Sequence, residues 1–157
     1  MMFNGLPWGT VTHDRGHRCG ECGRFLKHYN RCLSTGLART LVELYMMTKR
    51  MPHKAPFHVS MFDTSAGRGE VSKLMWWGFV KEEANNDSAK RRSGFWSIND
   101  FGKDFVLNIE LVPQYAIEKW DTGSGPEILG FAGPAVSIKD CLEYRNRFDY
   151  QSLMATV

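Results

Sequence analysis

Apolar residues recur at helical spacing between residues 34 and 50, and this pattern predicts the first helix of the chain. Ser34 or Thr35 is the expected N-cap, the helix runs over residues 36–50, and Pro52 prevents its continuation. The positions on its apolar face are Leu37, Leu41, Leu44, Tyr45 and Met47 or Thr48. A short extended piece at residues 57–59 and a short helix at residues 61–65 are expected next, before a glycine-containing turn.

A second apolar pattern, over residues 68–110, predicts a helix, a hairpin and another helix. Val71, Leu74 and Met75 follow the spacing of a packed helix, and Gly78 ends it. A strand begins at residue 79, a polar basic loop covers residues 84–93, and a return strand contains residues 95–98. Asn99 or Asp100 then caps a helix that includes Phe101, Phe105, Val106 and Ile109.

In order, these elements resemble a MarR-type winged-helix domain over residues 34–110. The recognition helix of that family ends in a leucine followed by Gly-Leu-Val, which Leu74 and the Gly-Phe-Val of residues 78–80 match. A charged wing follows at residues 81–93, and the return strand ends at residues 97–102, where Asn99 replaces the threonine of the family. The whole chain is also similar to small uncharacterised bacteriophage proteins, a resemblance that implies no activity.

The segments on either side complete an expected α+β fold. Residues 1–33 form an N-terminal segment that resembles a metal knuckle, and residues 34–110 form the winged helix-turn-helix core. Residues 111–157 form a C-terminal β-hairpin, with a turn at residues 121–126, and a short helix at residues 138–144 that Ser137 begins. This last segment has three expected uses: an element of a homodimer, a partner-binding module, or structural support.

The net charge of +3 is distributed unevenly along the chain. Residues 1–54 contain nine Lys and Arg against three Asp and Glu, residues 55–110 contain seven against eight, and residues 111–157 contain four against six. A basic first third favours a polyanionic partner over a merely solvated basic face, because the wing adds Lys90, Arg91 and Arg92.

Cys19 and Cys22, each followed by glycine, have the spacing of a turn that directs two thiolates at one zinc ion. Two local sets complete a four-ligand site. The favoured set is Cys19, Cys22, His28 and Cys32, which is close to the spacing of a zinc knuckle. The other set replaces His28 and Cys32 by His13 and His17. The rival interpretations are a redox dithiol and unrelated free thiols. The expected zinc is structural, because this short polar segment cannot build a core of its own.

Duplex DNA is the expected partner of the winged helix, and the recognition helix would enter the major groove. Its outward positions supply the base and phosphate contacts, and the wing supplies contacts to the backbone or the minor groove. The candidate residues are Arg68, Ser72, Lys73, Trp76, Lys90, Arg91 and Arg92. Arg39, Lys49 and Arg50 on the first helix are candidates for further phosphate contacts.

A host protein is the alternative partner, since many winged helices bind proteins and residues 55–110 are nearly neutral. Such a module would modulate a host enzyme or a transcription complex. An enzyme is not expected, because no glycine-rich phosphate loop, G-x-S-x-G or H-E-x-x-H motif is present. No apolar run approaches the length of a membrane span, and the N-terminus lacks the pattern of a secretory signal. We therefore expect a cytoplasmic protein, in a bacterial host if it is phage-encoded.

Overall fold

The computed structural model of the chain describes residues 1–9, 16–18, 20–23, 25–63, 70–84, 93–121 and 125–155. The strands are β1 (Met2–Phe3), β2 (Leu6–Gly9), β3 (Gly16–Arg18), β4 (Phe25–Cys32), β5 (Phe57–His58), β6 (Val80–Glu82), β7 (Phe95–Ile98), β8 (Val112–Asp121) and β9 (Gly125–Val136). The α-helices are α1 (Thr35–Arg50), α2 (Asp100–Val106), α3 (Ile138–Leu142) and α4 (Tyr150–Met154). The 3-10 helices are Pro52–Lys54, Val59–Met61, Val71–Met75 and Tyr144–Asn146. The protein is therefore mixed α+β.

The chain forms two compact units. Unit 1 consists of Met1–Leu33 and Val112–Val136, and unit 2 consists of Ser34–Leu111 and Ser137–Val157. The division proposed from the sequence has the same limits near residues 33 and 110, but it keeps residues 111–157 together as one extension. In the structure the hairpin at 112–136 joins the N-terminal segment, because β8 pairs with β4 over residues 27–32. The residues after 136 join the helical unit.

Unit 1 is a six-stranded sheet in the order β1-β2-β9-β8-β4-β3. All neighbouring strands are antiparallel except β2 and β9, which are parallel. The β8–β9 hairpin extends from the pair of Val112 and Val136 to the pair of Asp121 and Gly125, and it confirms the hairpin predicted there. The ring of Phe3 packs edge-on against Phe131 at a centroid distance of 4.9 Å.

Unit 2 is organised around α1, which confirms the first predicted helix. The Ser34 hydroxyl caps it by accepting a hydrogen bond from the backbone N–H of Leu37 at 3.2 Å. Lys49 and Arg50 lie in its last turn, where cations interact favourably with the helix dipole. The residues on its fully buried face include Ala38, Leu41, Val42 and Leu44.

A three-stranded sheet in the order β5-β7-β6 completes unit 2 with α2, α3 and α4. Its buried aromatic residues are Phe57, Phe62, Trp77, Phe79, Trp96 and Phe105. The Thr35 hydroxyl donates to the carbonyl of Cys141 at 2.8 Å, and the Tyr150 hydroxyl donates to the carbonyl of Val106 at 2.7 Å. These two buried or partly buried bonds tie the C-terminal helices to α1 and α2.

Two predicted helices differ from the structure. Val71–Met75, within the helix predicted to end at Gly78, is a 3-10 helix that directly follows the α-helical residue Glu70. The helix expected at residues 61–65 is wrong for its described part, since residues 62 and 63 are bends that follow the 3-10 helix Val59–Met61. No helix among the described residues combines the length and apolar character that a membrane crossing requires.

Candidate nucleic-acid interface and metal segment

The 3-10 helix Val71–Met75 separates buried from half-buried positions. Val71 and Leu74 are buried, and the predicted contact residues Ser72, Lys73 and Trp76 are all half-buried. The three side chains therefore keep part of their surface at solvent, as a binding segment requires. The fourth predicted residue of this segment, Arg68, lies outside the described residues.

The charge of Lys73 is compensated locally. Its ammonium nitrogen lies 2.7 Å from a carboxylate oxygen of Glu70, and both side chains are about one-third exposed. A solvent-exposed pair of this kind contributes about 0–1 kcal/mol, so Lys73 can exchange Glu70 for another anion at small cost. The pair nevertheless lowers the positive potential that the segment presents to a polyanion.

Asn99 links the backbone that follows the 3-10 helix Val71–Met75, which we call the recognition segment after its predicted role, to the return strand of the hairpin. Its side-chain amide donates to the carbonyl of Gly78 at 2.6 Å, and its backbone N–H donates to the carbonyl of Phe79 at 3.0 Å. Its side-chain oxygen accepts from the N–H of Gly102 at 2.8 Å and thereby caps α2. The predicted cap is confirmed. Asn99 fixes the end of the recognition segment as well as the start of a helix.

Gly102 closes the motif at residues 97–102 that carries the resemblance, and the structure gives this glycine a packing role that the sequence did not reveal. A Cβ at this position would lie 2.3 Å from the carbonyl oxygen of Phe79 and 2.8 Å from Cγ1 of Ile98. Glycine is thus required by the close approach of α2 to the backbone that leaves the recognition segment. The signal available in the sequence was the Asn99-x-x-Gly102 pattern itself.

The hairpin that would form the wing is described up to its tip. β6 pairs antiparallel with β7 from Val80 opposite Ile98 to Glu82 opposite Trp96. Beyond this pair, the N–H of Glu83 donates to the carbonyl of Phe95 at 2.9 Å, and the Ser93 hydroxyl donates to the carbonyl of Glu83 at 2.7 Å. The predicted phosphate contacts Lys90, Arg91 and Arg92 lie outside the described residues.

The three cations of α1 have different surroundings. Lys49 and Arg50 are exposed, and the Lys49 ammonium lies 5.8 Å from the ring centroid of Tyr45. Arg39 is half-buried, with its guanidinium 5.9 Å from the ring centroid of Phe148 and its Nη1 buried without a hydrogen-bond partner in the described part of the chain. Lys49 and Arg50 are therefore more accessible to a phosphate than Arg39 is.

Two of the favoured zinc ligands are well separated in the structure. His28 and Cys32 both lie on β4, four residues apart, which separates their Cα atoms by about 13 Å along a strand. Their side chains stand parallel to each other, and bonds to zinc of only about 2.0–2.3 Å cannot close such a gap. Cys22 is exposed in the turn between β3 and β4, and Cys19 lies outside the described residues. Within the described ranges, no group of three metal-ligating side chains is found.

Cys32 is an exposed residue whose thiol is partly desolvated by its neighbours. Burial of its sulfur raises the pKa of Cys32, and a hydrogen bond with Gln114 lowers it only in part. The same residue pairs with Tyr115 in the β4–β8 ladder, so strand formation accounts for its presence.

The sequence reasoning also missed a polar cluster on β4 and β8. Nε of Arg31 donates to a carboxylate oxygen of Glu118 at 2.5 Å, and the Glu118 side chain is only 4% exposed. The guanidinium carbon of Arg31 lies 5.0 Å from the ring centroid of Tyr29. Lys27, Tyr29 and Arg31 alternate along the strand, and this period of two was the available signal.

The excess of positive charge in the first third of the sequence does not become an excess of positive charge in one of the two units. Unit 1 contains six Lys and Arg against five Asp and Glu, and unit 2 contains fourteen against twelve. The basic first third of the sequence is divided between them, because its first 33 residues fold with the acidic residues of the β8–β9 hairpin. Charge in this protein therefore acts through local clusters rather than through one basic unit.

Comparison of the chain with protein-family models, curated proteins and solved structures finds no match in any of the three. The functional argument therefore depends on the residues and geometry of this chain.

Proposed function

We propose that residues 34–110 form a winged-helix domain that binds duplex DNA as a small regulator in a bacterial cytoplasm. The observation that carries this proposal is the strand order β5-β7-β6. The strand between α1 and the recognition segment pairs with the return strand of the hairpin, with Phe57 opposite Trp96. In a winged helix, the first strand occupies this position between the first two helices.

The hairpin contains the cations that would bind the DNA phosphates. β6 and β7 form a paired stem, and the segment between them contains the successive cations Lys90, Arg91 and Arg92. A wing with three cations neutralises phosphates, which provides affinity that depends on salt and little on sequence. The recognition segment would supply the sequence-dependent part through Ser72 and Lys73.

DNA binding requires Lys73 to change partners. Free in solution, its ammonium pairs with Glu70. Near a phosphate or a guanine edge, the Lys73 ammonium would leave the Glu70 carboxylate. The unpaired carboxylate would then lie close to the DNA phosphates, which repel it. Glu70 therefore tunes affinity downward, and we expect Glu70→Gln to bind duplex DNA more tightly than the natural sequence does.

The test is a fluorescence-anisotropy titration of full-length protein with random-sequence duplex DNA at two salt concentrations. Affinity should fall steeply, by about 10³-fold or more, between low and moderate salt if about six phosphates are contacted. Arg91→Ala with Arg92→Ala should weaken binding and reduce the salt slope by about two. The matched control is Lys139→Ala with Arg147→Ala, which removes two exposed cations that lie outside residues 34–110. Equal losses in both double variants would show that net charge, not the wing, determines binding.

A protein partner is the second candidate, and the Lys73–Glu70 pair favours it. The pair neutralises the recognition segment, where the neighbouring apolar Met75 is 42% exposed. A protein interface of this kind would be insensitive to salt, unlike a phosphate contact. No duplex binding at low salt, together with salt-resistant capture of one partner that Met75→Asp abolishes, would select this candidate.

A structural zinc ion in the N-terminal segment is a further part of the proposal. Since strand geometry separates His28 from Cys32, we assign the zinc to Cys19 and Cys22 with His13 and His17. Elemental analysis of purified protein should find about one zinc per chain. The Cys22→Ser variant should lose the zinc. The His28→Ala variant should keep the zinc, because His28 is a ligand only in the set that contains Cys32. Loss of zinc in His28→Ala would restore the knuckle set, and absence of zinc in the unaltered protein would remove both sets.

A further inference from the structure

One face of the unit 1 sheet carries several cations next to an exposed aromatic ring. Directly paired residues in an antiparallel ladder have side chains on the same face, and alternate residues along a strand share a face. Arg18 pairs with residue 25, and Tyr29 pairs with Glu118, without a register break in either ladder. The described side chains on this face include Arg18, Lys27, Tyr29, Arg31 and Glu118, and we call this cluster the basic face.

The single acid of this cluster is already engaged. Glu118 is buried, and its carboxylate accepts the hydrogen bond from Nε of Arg31. Arg18 and Lys27 are exposed, and no salt bridge is found for either of them within the described residues. Nη1 of Arg18 donates to the carbonyl of Gly23, a neutral acceptor, at 3.1 Å. The face thus presents an excess of positive charge to solvent.

The ring of Tyr29 is the aromatic component of the basic face. The residue is 36% exposed, and the Arg31 guanidinium lies 5.0 Å from its ring centroid. This contact holds the ring in place from one side, which reduces the entropy lost when a flat group stacks on it. A rigid, partly exposed ring between cations is the arrangement on which unpaired bases stack.

Aromatic rings cover part of the same face at the other end of the sheet. The strand register connects this end to the basic face. Trp8 is paired with Phe131, Phe131 with Ala116, and Ala116 with Arg31, so these four side chains lie on the same face of the sheet. There the rings of Phe3 and Trp8 pack near Phe131, and Phe131 is buried. Among the described side chains at the β3–β4 end, Arg18, Lys27 and Tyr29 are exposed.

We propose that the basic face binds single-stranded nucleic acid, with one unpaired base stacked on Tyr29 and phosphates near Arg18 and Lys27. Charge complementarity selects a polyanion, and the exposed ring selects an unpaired base over a duplex, in which both base faces are already stacked. All the residues of this surface belong to unit 1, and none of them is among the proposed duplex contacts. The proposal therefore does not rest on the duplex-binding function.

The test measures the affinity of full-length protein for fluorescein-labelled oligothymidine of 20 nucleotides by anisotropy at low salt. Tyr29→Leu should weaken binding about tenfold, because it removes one base–aromatic stack, and Tyr29→Phe should restore it. Lys27→Gln should weaken binding and reduce the salt slope by about one. The matched control is Asn30→Ala, which alters an exposed neighbour on the opposite face and should leave affinity unchanged.

Three results would overturn the proposal. The first is no binding of oligothymidine to the unaltered protein at low salt. The second is equal affinity of Tyr29→Leu and Tyr29→Phe, provided both variants melt at the temperature of the unaltered protein. The third is loss of oligothymidine binding in Arg91→Ala with Arg92→Ala but not in Lys27→Gln, which would assign single strands to the wing. Survival of duplex binding in Tyr29→Leu separates this surface from the proposed winged helix.

Discussion

Replacing Gly102 by alanine is the sharpest test of how the recognition segment is held. The added Cβ would lie 2.3 Å from the carbonyl oxygen of Phe79, a backbone atom that cannot rotate away. Ordinary contact begins near 3.4 Å, so α2 and the backbone at Phe79 must separate by about 1 Å. The same carbonyl accepts the N–H of Asn99 at 3.0 Å, and that bond would stretch with it.

The expected change in the free energy of unfolding combines two destabilising contributions and one stabilising contribution. Overpacking at a buried contact costs about 1–3 kcal/mol. Disturbing the Asn99 cap costs about another 1 kcal/mol. Alanine is favoured over glycine in a helix by about 1 kcal/mol, which offsets part of this loss. We therefore expect Gly102→Ala to lower the free energy of unfolding by about 2 kcal/mol, or the melting temperature of unit 2 by about 10 °C.

Thermal and urea unfolding, followed by circular dichroism and tryptophan fluorescence, measure this loss. The control is Gly36→Ala in α1, where the nearest heavy atom to an added Cβ is the Ser34 hydroxyl at 3.8 Å. That variant has the same change of side chain without the clash, and it should be neutral or slightly stabilising. A melting temperature of Gly102→Ala equal to that of Gly36→Ala would refute the close approach of α2 to Phe79.

Two further predictions concern the C-terminal part of unit 2. Ser137 and Asp140 form a reciprocal capping box at the start of α3, so Ser137→Ala should lower the free energy of unfolding by about 1 kcal/mol in urea titrations, whereas Ser137→Asp should retain most of it. The pKa of Tyr150 is raised, first by burial and second by Tyr45, so its stabilising contribution is complete below the unfolded pKa of about 10 and is lost as pH rises through the folded pKa. Tyr150→Phe should lose the bond to the Val106 carbonyl, costing about 1 kcal/mol at pH 7, and should then decline less than the unaltered protein above pH 10.

Local patterns predicted the elements of unit 2 well. The helix at residues 35–50 combines an N-cap, a periodic apolar face and a terminating proline, which all act within one element. The cap at Asn99 and the strand Phe95–Ile98 were likewise visible, because a side chain that bonds its own backbone leaves a local signal. A helix was predicted where Val71–Met75 lies, but its type is 3-10 rather than α, since five residues do not distinguish a period of 3.0 from one of 3.6.

The organisation of unit 1 could not be predicted, because it depends on pairing between distant residues. Nothing in residues 25–32 specifies that their partner strand begins at residue 112. The same lack of a local signal hid the bond between Arg31 and Glu118, which joins residues 87 apart. The zinc set was chosen by the spacing of Cys and His residues, and a strand over this segment places His28 and Cys32 on one face but about 13 Å apart along it.

The long stretch of sequence between β4 and its partner strand β8 affects how the protein folds during synthesis on the ribosome. The N–H of Leu33 donates to the carbonyl of Gln114 at 2.8 Å, so the chain leaves unit 1 and returns to it at nearly the same point. Closing this loop of about 80 residues is entropically costly unless residues 34–111 are already compact. The first strands to be synthesised must therefore wait, with one edge of β4 unpaired, until β8 emerges. A chaperone or early partner that recognises exposed strand edges would meet this protein during that interval.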